Sequence, residues 1–253
     1  MELQGLPALV TGGGSGMGAA TARALAAKGM RVAVADISGD KAEAVATEIG
    51  GIGLTVDVTD EQAALQAFAR AREAHGPVRV LVNCAGIASA GRVAGRDGPH
   101  PLDLFERTIK VNLIGSFNMA RLAAVEMSSA EPLADGERGL IVNTASVAAF
   151  EGQIGQAAYA ASKGGVVSMT LPMARELARF GIRVVTIAPG LIETPMMANM
   201  SQEVYESLVA TTLFPHRLGR ADEYAKLVLA IADNQMINGE TIRLDGALRM
   251  QPK

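Results

Sequence analysis

The chain is poor in the residues and runs that would mark several protein classes. Its 253 residues include one cysteine, Cys84. No disulfide framework can form, which fits a reducing compartment. The three histidines, His75, His100 and His216, are scattered. With a single cysteine they give no His/Cys metal set, so no metal is expected. No apolar run reaches the roughly 18 residues of a membrane helix, so no membrane partner is expected. Net charge is −3 and no run of Lys or Arg exceeds two residues. Nucleic acid and anionic membranes are therefore not expected as partners. The first seven residues lack the basic segment of a secretory signal and an Arg-rich amphipathic start. A cytoplasmic protein is expected.

What is present points to a globular α/β chain. Apolar residues make up 49% and are spread throughout, which excludes a disordered chain. The length suits one large α/β domain or two small ones, either with a sizeable core. No internal repeat, low-complexity segment or linker divides it, so residues 1–253 are expected to form one domain.

Residues 7–11 are a short apolar run ending in Gly12-Gly-Gly-Ser-Gly-Met-Gly18. Residues 19–28 have a helical composition, stopped by Gly29. This is strand, glycine turn, helix. Such glycines let the backbone approach a pyrophosphate, and a helix N-terminus offers N–H donors and a favourable dipole. A tight turn that binds nothing would look the same in isolation. A second apolar strand, 31–36, ends in Asp36, 18 residues past Gly18. An acid near that spacing accepts hydrogen bonds from adenosine ribose hydroxyls and repels a 2′-phosphate. Ile37 follows, in place of the Arg that favours a 2′-phosphate, so NAD is the expected cofactor. The alternative is an acid that only caps the next turn.

A helix is expected over 41–49, a third strand over 53–58, and a helix from Thr59-Asp-Glu-Gln62 to His75. Residues 78–82 form a fourth strand, closed by Asn83-Cys-Ala-Gly86. Alternating strands and helices give a doubly wound parallel sheet of Rossmann type with helices on both faces. Residues 87–101 read as a loop and 102–121 as a long helix containing Asn112. That Asn is either a tolerated polar residue or a bend that binds a water. A polar loop is expected over 127–139. Beyond it lie a strand leading to Ser146, a sixth strand over 182–188 ending in Pro189-Gly190, and a helical lid over 191–218. A helix over 221–232 and a last strand over 240–245 complete the chain.

The chemistry centres on Tyr159-x-x-x-Lys163, with Ser146 13 residues upstream of Tyr159. On a helix, Tyr159 and Lys163 share one face, a turn apart. A phenol is a weak base because its ordinary pKa is about 10. A nearby ammonium is expected to lower it, so that Tyr159 exchanges a proton with an alcohol or ketone. Ser146 follows an apolar strand, and open α/β sheets deliver functional side chains at strand carboxyl ends. Its hydroxyl suits a hydrogen bond to the substrate oxygen.

Together these stretches resemble the short-chain dehydrogenase/reductase family. The motifs are Thr11-Gly12 to Gly16-Met-Gly18, Asp57-Val58, Asn83-Cys84-Ala85-Gly86, Asn112, Ser146, Tyr159-x-x-x-Lys163, and Pro189-Gly190 with Thr194. They follow family order and span nearly the whole chain. Asn143-Thr-Ala-Ser-Val-Ala-Ala-Phe-Glu-Gly-Gln153, Gly155-Gln-Ala-Ala-Tyr159, Arg217-Leu-Gly219 and Ile242-Arg-Leu-Asp-Gly-Ala247 resemble one subgroup more closely. These are the short-chain L-3-hydroxyacyl-CoA dehydrogenases, or type 10 17β-hydroxysteroid dehydrogenases. The resemblance implies a homotetramer that uses NAD in fatty acid metabolism, with 3-hydroxyacyl-CoA as small-molecule substrate. It implies cofactor contacts at Gly12, Ser15, Gly16, Met17, Gly18, Asp36, Asp57, Val58, Asn83, Cys84, Ala85, Gly86, Tyr159, Lys163, Pro189, Gly190 and Thr194. It places Ser146, Gln156 and Tyr159 at the substrate. Asn112, Ser146, Tyr159 and Lys163 become the catalytic set, with Asn112 holding a water for proton relay. Residues 192–193 and 88–100 depart from the subgroup near the expected pocket. Another secondary alcohol, such as a hydroxysteroid, remains an alternative substrate. A dinucleotide-binding sensor is the alternative from a different class.

Overall fold

The computed structural model describes residues 1–96, 98–193 and 202–252. Seven strands form one parallel sheet: β1 (Pro7–Thr11), β2 (Arg31–Asp36), β3 (Ile52–Thr55), β4 (Val80–Asn83), β5 (Gly139–Thr144), β6 (Ile182–Pro189) and β7 (Thr241–Leu244). Their order is β3-β2-β1-β4-β5-β6-β7. All six residues of β5 and all eight of β6 are buried. Helices cover both faces, with the short α6 (Ala148–Glu151) just beyond β5, so the central strands have no solvent side and read as continuous apolar runs.

On one face α3 (Glu61–His75), α5 (Gly115–Ser129) and α7 (Ala157–Leu177) bury Phe68, Met119, Met127 and Leu177 against Leu9, Leu54, Leu81 and Ile141. On the other, α1 (Gly16–Ala27), α2 (Gly39–Ile49) and α9 (Ala221–Asp233) bury Leu25, Val45, Tyr224 and Ile231 against Val10, Val34 and Val80. Strand order runs outward in both directions from the β1/β4 pair. In such sheets the crevice at the strand carboxyl ends is the ligand site. That edge collects the turn after β1, Asp36, the segment after β4, Ser146 and Gly190.

Several expected boundaries move. The helical run expected over 102–121 reaches Ser129: α4 (Leu102–Ile109), a π turn (Lys110–Ile114), then α5. Ala120, Ala123, Ala124 and Met127 are spaced to bury one helical face, so the polar loop begins after Ser129, not at Met127. The third strand stops at Thr55, which leaves Asp57 and Val58 in the following turn. Asp60, not Thr59, caps α3, accepting from Gln62 N at 2.8 Å and Ala63 N at 3.0 Å. The loop over 87–101 carries a small antiparallel ribbon, Ala94–Gly95 against Gly98–Pro99. The expected lid includes one helix among the described residues, α8 (Gln202–Thr211). Thr194 lies outside the described residues.

Candidate active site

The glycine turn is shaped by close approach. Gly12 has φ +61°, and a Cβ there would lie 2.8 Å from Ala85 N. A Cβ on Gly18 would run into the Gly12 carbonyl. Space is open beside Gly16, whose φ is +51°. Ser15 caps α1 through its extended backbone, and its side chain makes no cap hydrogen bond. The turn therefore presents backbone, a hydroxyl and a helix N-terminus, the donor set that suits a pyrophosphate. Met17, behind it, packs against the apolar core.

Asp36 ties β2 to this turn. Its carboxylate accepts from Gly14 N and Ser38 N, both at 2.9 Å. A carboxylate has about four acceptor positions, so capacity remains for two ribose hydroxyls. In the neighbouring turn Asp57 accepts from Thr59 N at 2.9 Å, and the Val58 carbonyl accepts from Asn118 Nδ2 at 2.9 Å.

The segment after β4 divides into support and surface. The buried Asn83 amide donates to Ser116 O at 3.1 Å and Asn143 Oδ1 at 3.0 Å. Its side-chain oxygen accepts from Thr11 Oγ1 at 3.4 Å, and its backbone carbonyl from Thr144 Oγ1 at 2.6 Å. The side chain of Asn83 is thus spent inside the protein. It supports the wall of the cleft from within. Ala85 N donates to Thr11 Oγ1 at 3.2 Å. A Cβ on Gly86 would meet Asn112 Oδ1 at 3.1 Å and Lys163 Nζ at 3.5 Å, so glycine leaves room above the lysine. Burial pushes the Cys84 thiol above its ordinary pKa.

Ser146 lies two residues past β5, and its Oγ accepts from Ala148 N at 3.1 Å. Tyr159 stands in the first turn of α7, with its phenol close enough to the Ser146 hydroxyl for that group to oppose the effect of burial on it. Lys163 follows one turn later. Its Nζ donates to the Thr144 carbonyl at 2.8 Å and lies 5.9 Å from the Tyr159 ring centroid. Sequence reasoning expects Lys163 to lower the Tyr159 pKa. In the protein alone Tyr159 is raised, because burial outweighs the opposing hydrogen bond from Ser146. Burial also lowers Lys163 to about 8. Its ammonium is engaged by Thr144 and lies beside the tyrosine ring, not at its hydroxyl.

Asn112 sits in the π turn, a feature often found at functional sites. Its Nδ2 donates to Ile87 O and Ser162 Oγ, both at 2.9 Å, and its Oδ1 accepts from Ile87 N at 2.8 Å. Ser162 in turn donates to the Tyr159 carbonyl at 2.7 Å. The Asn112 side chain is thus engaged within the protein. That side chain ties the segment after β4 to the first turn of α7.

Gln156 precedes α7 and accepts from Gln153 N at 3.0 Å. With Arg92, Val93, Ile154 and Ala160 it lines an open groove of about 710 Å³. The Pro189 carbonyl accepts from Val147 N at 3.0 Å, and a Cβ on Gly190 would lie 2.8 Å from Asp245 Cβ. Two residues of this site were not foreseen. Thr144 holds Lys163, and Tyr224 on α9 meets Thr144 Oγ1 at 2.7 Å. Nothing local distinguishes Tyr224 from an ordinary core aromatic.

Residues 7–204 match the family model for short chain dehydrogenase. The chain belongs to that family. The dehydrogenase is 52% identical to 3-hydroxyacyl-CoA dehydrogenase type-2 of Bos taurus, over 99% of this chain and 98% of that one. It is 50% identical to the Homo sapiens protein of the same name, with the same coverage. The crystal structure of 3-hydroxyacyl-CoA dehydrogenase type-2 from Mycobacterium avium superposes with a TM-score of 0.95 at 44% identity, covering 98% of each chain. The dehydrogenase is therefore an oxidoreductase of the NAD(P)-dependent family that interconverts secondary alcohols and ketones.

Proposed function

We propose that this dehydrogenase interconverts (S)-3-hydroxyacyl-CoA and 3-oxoacyl-CoA with NAD. The observation that carries the chemistry is the convergence of Ser146, Tyr159 and Lys163 at one sheet edge, with the Lys163 ammonium 5.9 Å from the Tyr159 ring and held by the Thr144 carbonyl. The names of full-length relatives support the substrate. Asp36 supports NAD, since its charge opposes a 2′-phosphate.

Gly12, Ser15, Gly16 and Gly18 would hold the pyrophosphate, and Asp36, Asp57 and Val58 would hold the adenosine end. Cys84, Ala85 and Gly86 with Pro189 and Gly190 border the nicotinamide end, Met17 backs the turn, and Thr194 remains assigned by family likeness. The nicotinamide held there would supply the hydride acceptor for alcohol oxidation and the hydride donor for ketone reduction. The protein handles the proton. Ser146 orients the substrate oxygen, and Tyr159 takes the hydroxyl proton in oxidation and returns it in reduction. The positive charge of Lys163 favours the phenolate once substrate and cofactor exclude water. Asn112 holds the first turn of α7 in place, and Gln156 borders the acyl end. In the protein alone Tyr159 is raised and protonated at neutral pH, which is the form that reduces a ketone.

We read the assembly as a homotetramer. Exposed Ile114, Phe117 and Val125 on the central helical run and Leu171 on α7 support contacts between copies. The free thiol of Cys84 supports a reducing, cytoplasmic setting and a place in fatty acid metabolism follows from the proposed substrate.

Tyr159→Phe tests the assignment. Turnover should fall by about 10²- to 10⁴-fold, the range of a lost general acid–base group, while NADH binding stays near wild type. Near-wild-type turnover would remove Tyr159 from its role.

A further inference from the structure

Behind Lys163 lies a buried polar chain that the proton-transfer reading leaves unused. The Thr144 hydroxyl donates to the Asn83 carbonyl at 2.6 Å. Cys84 Sγ also lies 3.8 Å from this hydroxyl, but the carbonyl is the nearer and stronger acceptor, so the single Thr144 proton is committed there. In the 2.7 Å contact between Thr144 Oγ1 and Tyr224 OH, Tyr224 must then be the donor. Its own oxygen is left to accept from the Cys84 thiol at 3.7 Å. The proton order is fixed along the chain: Cys84 to Tyr224, Tyr224 to Thr144, Thr144 to Asn83. Tyr224 is fully buried, and burial keeps its phenol protonated well above the ordinary range. It therefore remains a donor at every working pH.

This chain crosses the sheet. Tyr224 comes from α9 on one face, and Lys163 comes from α7 on the other. They meet at one residue, Thr144, whose hydroxyl faces Tyr224 and whose carbonyl accepts from Lys163 Nζ at 2.8 Å. The titratable groups around Lys163 are Tyr159 on its own helix and Cys84 after β4, with Tyr224 behind Cys84. Asn112 and Gly86 border the lysine without charge. The direction of the Thr144 carbonyl thus sets where the ammonium stands relative to Tyr159.

We propose that Tyr224 is a positioning residue, which clamps Thr144 so that its carbonyl holds Lys163 where the ammonium stabilises the Tyr159 phenolate during alcohol oxidation. The proposal rests on the role given above to Tyr159 and Lys163. Removing the Tyr224 hydroxyl frees the Thr144 side chain and loosens its carbonyl. The phenolate then forms at higher pH.

The test is the pH profile of kcat for alcohol oxidation with saturating NAD, measured for wild type, Tyr224→Phe, Thr144→Val and Thr144→Ser. Tyr224→Phe should move the midpoint of the rising limb up by about 0.7 of a unit, and lower the rate below the midpoint about fivefold, the size of one net hydrogen bond. The plateau at high pH should be kept. Thr144→Val should produce the same shift, and Thr144→Ser, which restores the hydroxyl, should return the midpoint to the wild-type value. A role in stability alone would lower the plateau or the melting temperature without moving the midpoint. An unmoved midpoint in a folded Tyr224→Phe, while Tyr159→Phe is inactive, overturns this proposal and leaves the role of Tyr159 standing. An active Tyr159→Phe overturns both. If Tyr224→Phe does not fold, Thr144→Val decides: a shifted midpoint supports the clamp and an unshifted one overturns it.

Discussion

Asp36 does two jobs with one carboxylate. It holds the glycine turn through Gly14 and Ser38, and it keeps free acceptors and a negative charge which, on the proposed reading, meet the adenosine ribose. Asp36→Asn keeps an oxygen for the turn and removes the charge. Discrimination between NADH and NADPH, read as the ratio of kcat/KM values, should fall by at least about tenfold, as expected for a hydrogen bond that loses its charge. An unchanged ratio would show that selectivity lies elsewhere. The strand-ending place of this residue and its capping of the next turn were legible in the sequence, since the Ser38 N–H it accepts from lies two residues on. Lys163 was only half legible. The i, i+4 spacing puts it beside Tyr159, but sequence does not show that its ammonium is held by a backbone carbonyl and lowered to about 8 by burial. Desolvation depends on the whole surrounding wall, and no local pattern encodes that.

The elements were read well where burial is continuous and less well where polar residues ride on a buried helix. Ser128 and Ser129 look like loop residues, yet α5 continues through them because Ala123, Ala124 and Met127 still face the core. The π turn at Asn112 was also hidden, since side-chain bonds to Ile87 and Ser162 stabilise it from outside the helix. Helix ends carry their own stability. Glu223, in the first turn of α9, accepts from Arg220 N at 2.8 Å and from both Arg217 amines at 2.7 and 2.8 Å. These contacts hold its carboxyl at about 2, below its ordinary 4.5. A depressed carboxylate stabilises the fold fully above its unfolded value and loses that effect as the pH falls through the folded one. Glu223→Gln should therefore cost about 1 kcal/mol at neutral pH, lowering the melting temperature by about 2–4 °C. The gap should narrow as the pH drops from 4.5 towards 2. Equal melting curves at pH 7 would show that the cap contributes nothing.

At the scale of the molecule, one parallel sheet gathers distant residues to a single edge. Thr11, Asp36, Asn83, Thr144 and Pro189 each end a strand, so functional residues far apart in sequence become neighbours. That much follows from alternating strands and helices, whose connections are right-handed and short. What crosses the sheet does not follow. The contact from Tyr224 to Thr144 spans 80 residues and depends on how two helix layers seat on opposite faces.

The reading as a whole meets its most direct test in NADH-dependent reduction of acetoacetyl-CoA, followed by nicotinamide absorbance, with NADPH in parallel. Turnover with NADH and little with NADPH is the predicted result. No turnover on acetoacetyl-CoA, in a protein that binds NADH and oxidises another secondary alcohol, would contradict the acyl-CoA substrate while leaving the dehydrogenase chemistry in place.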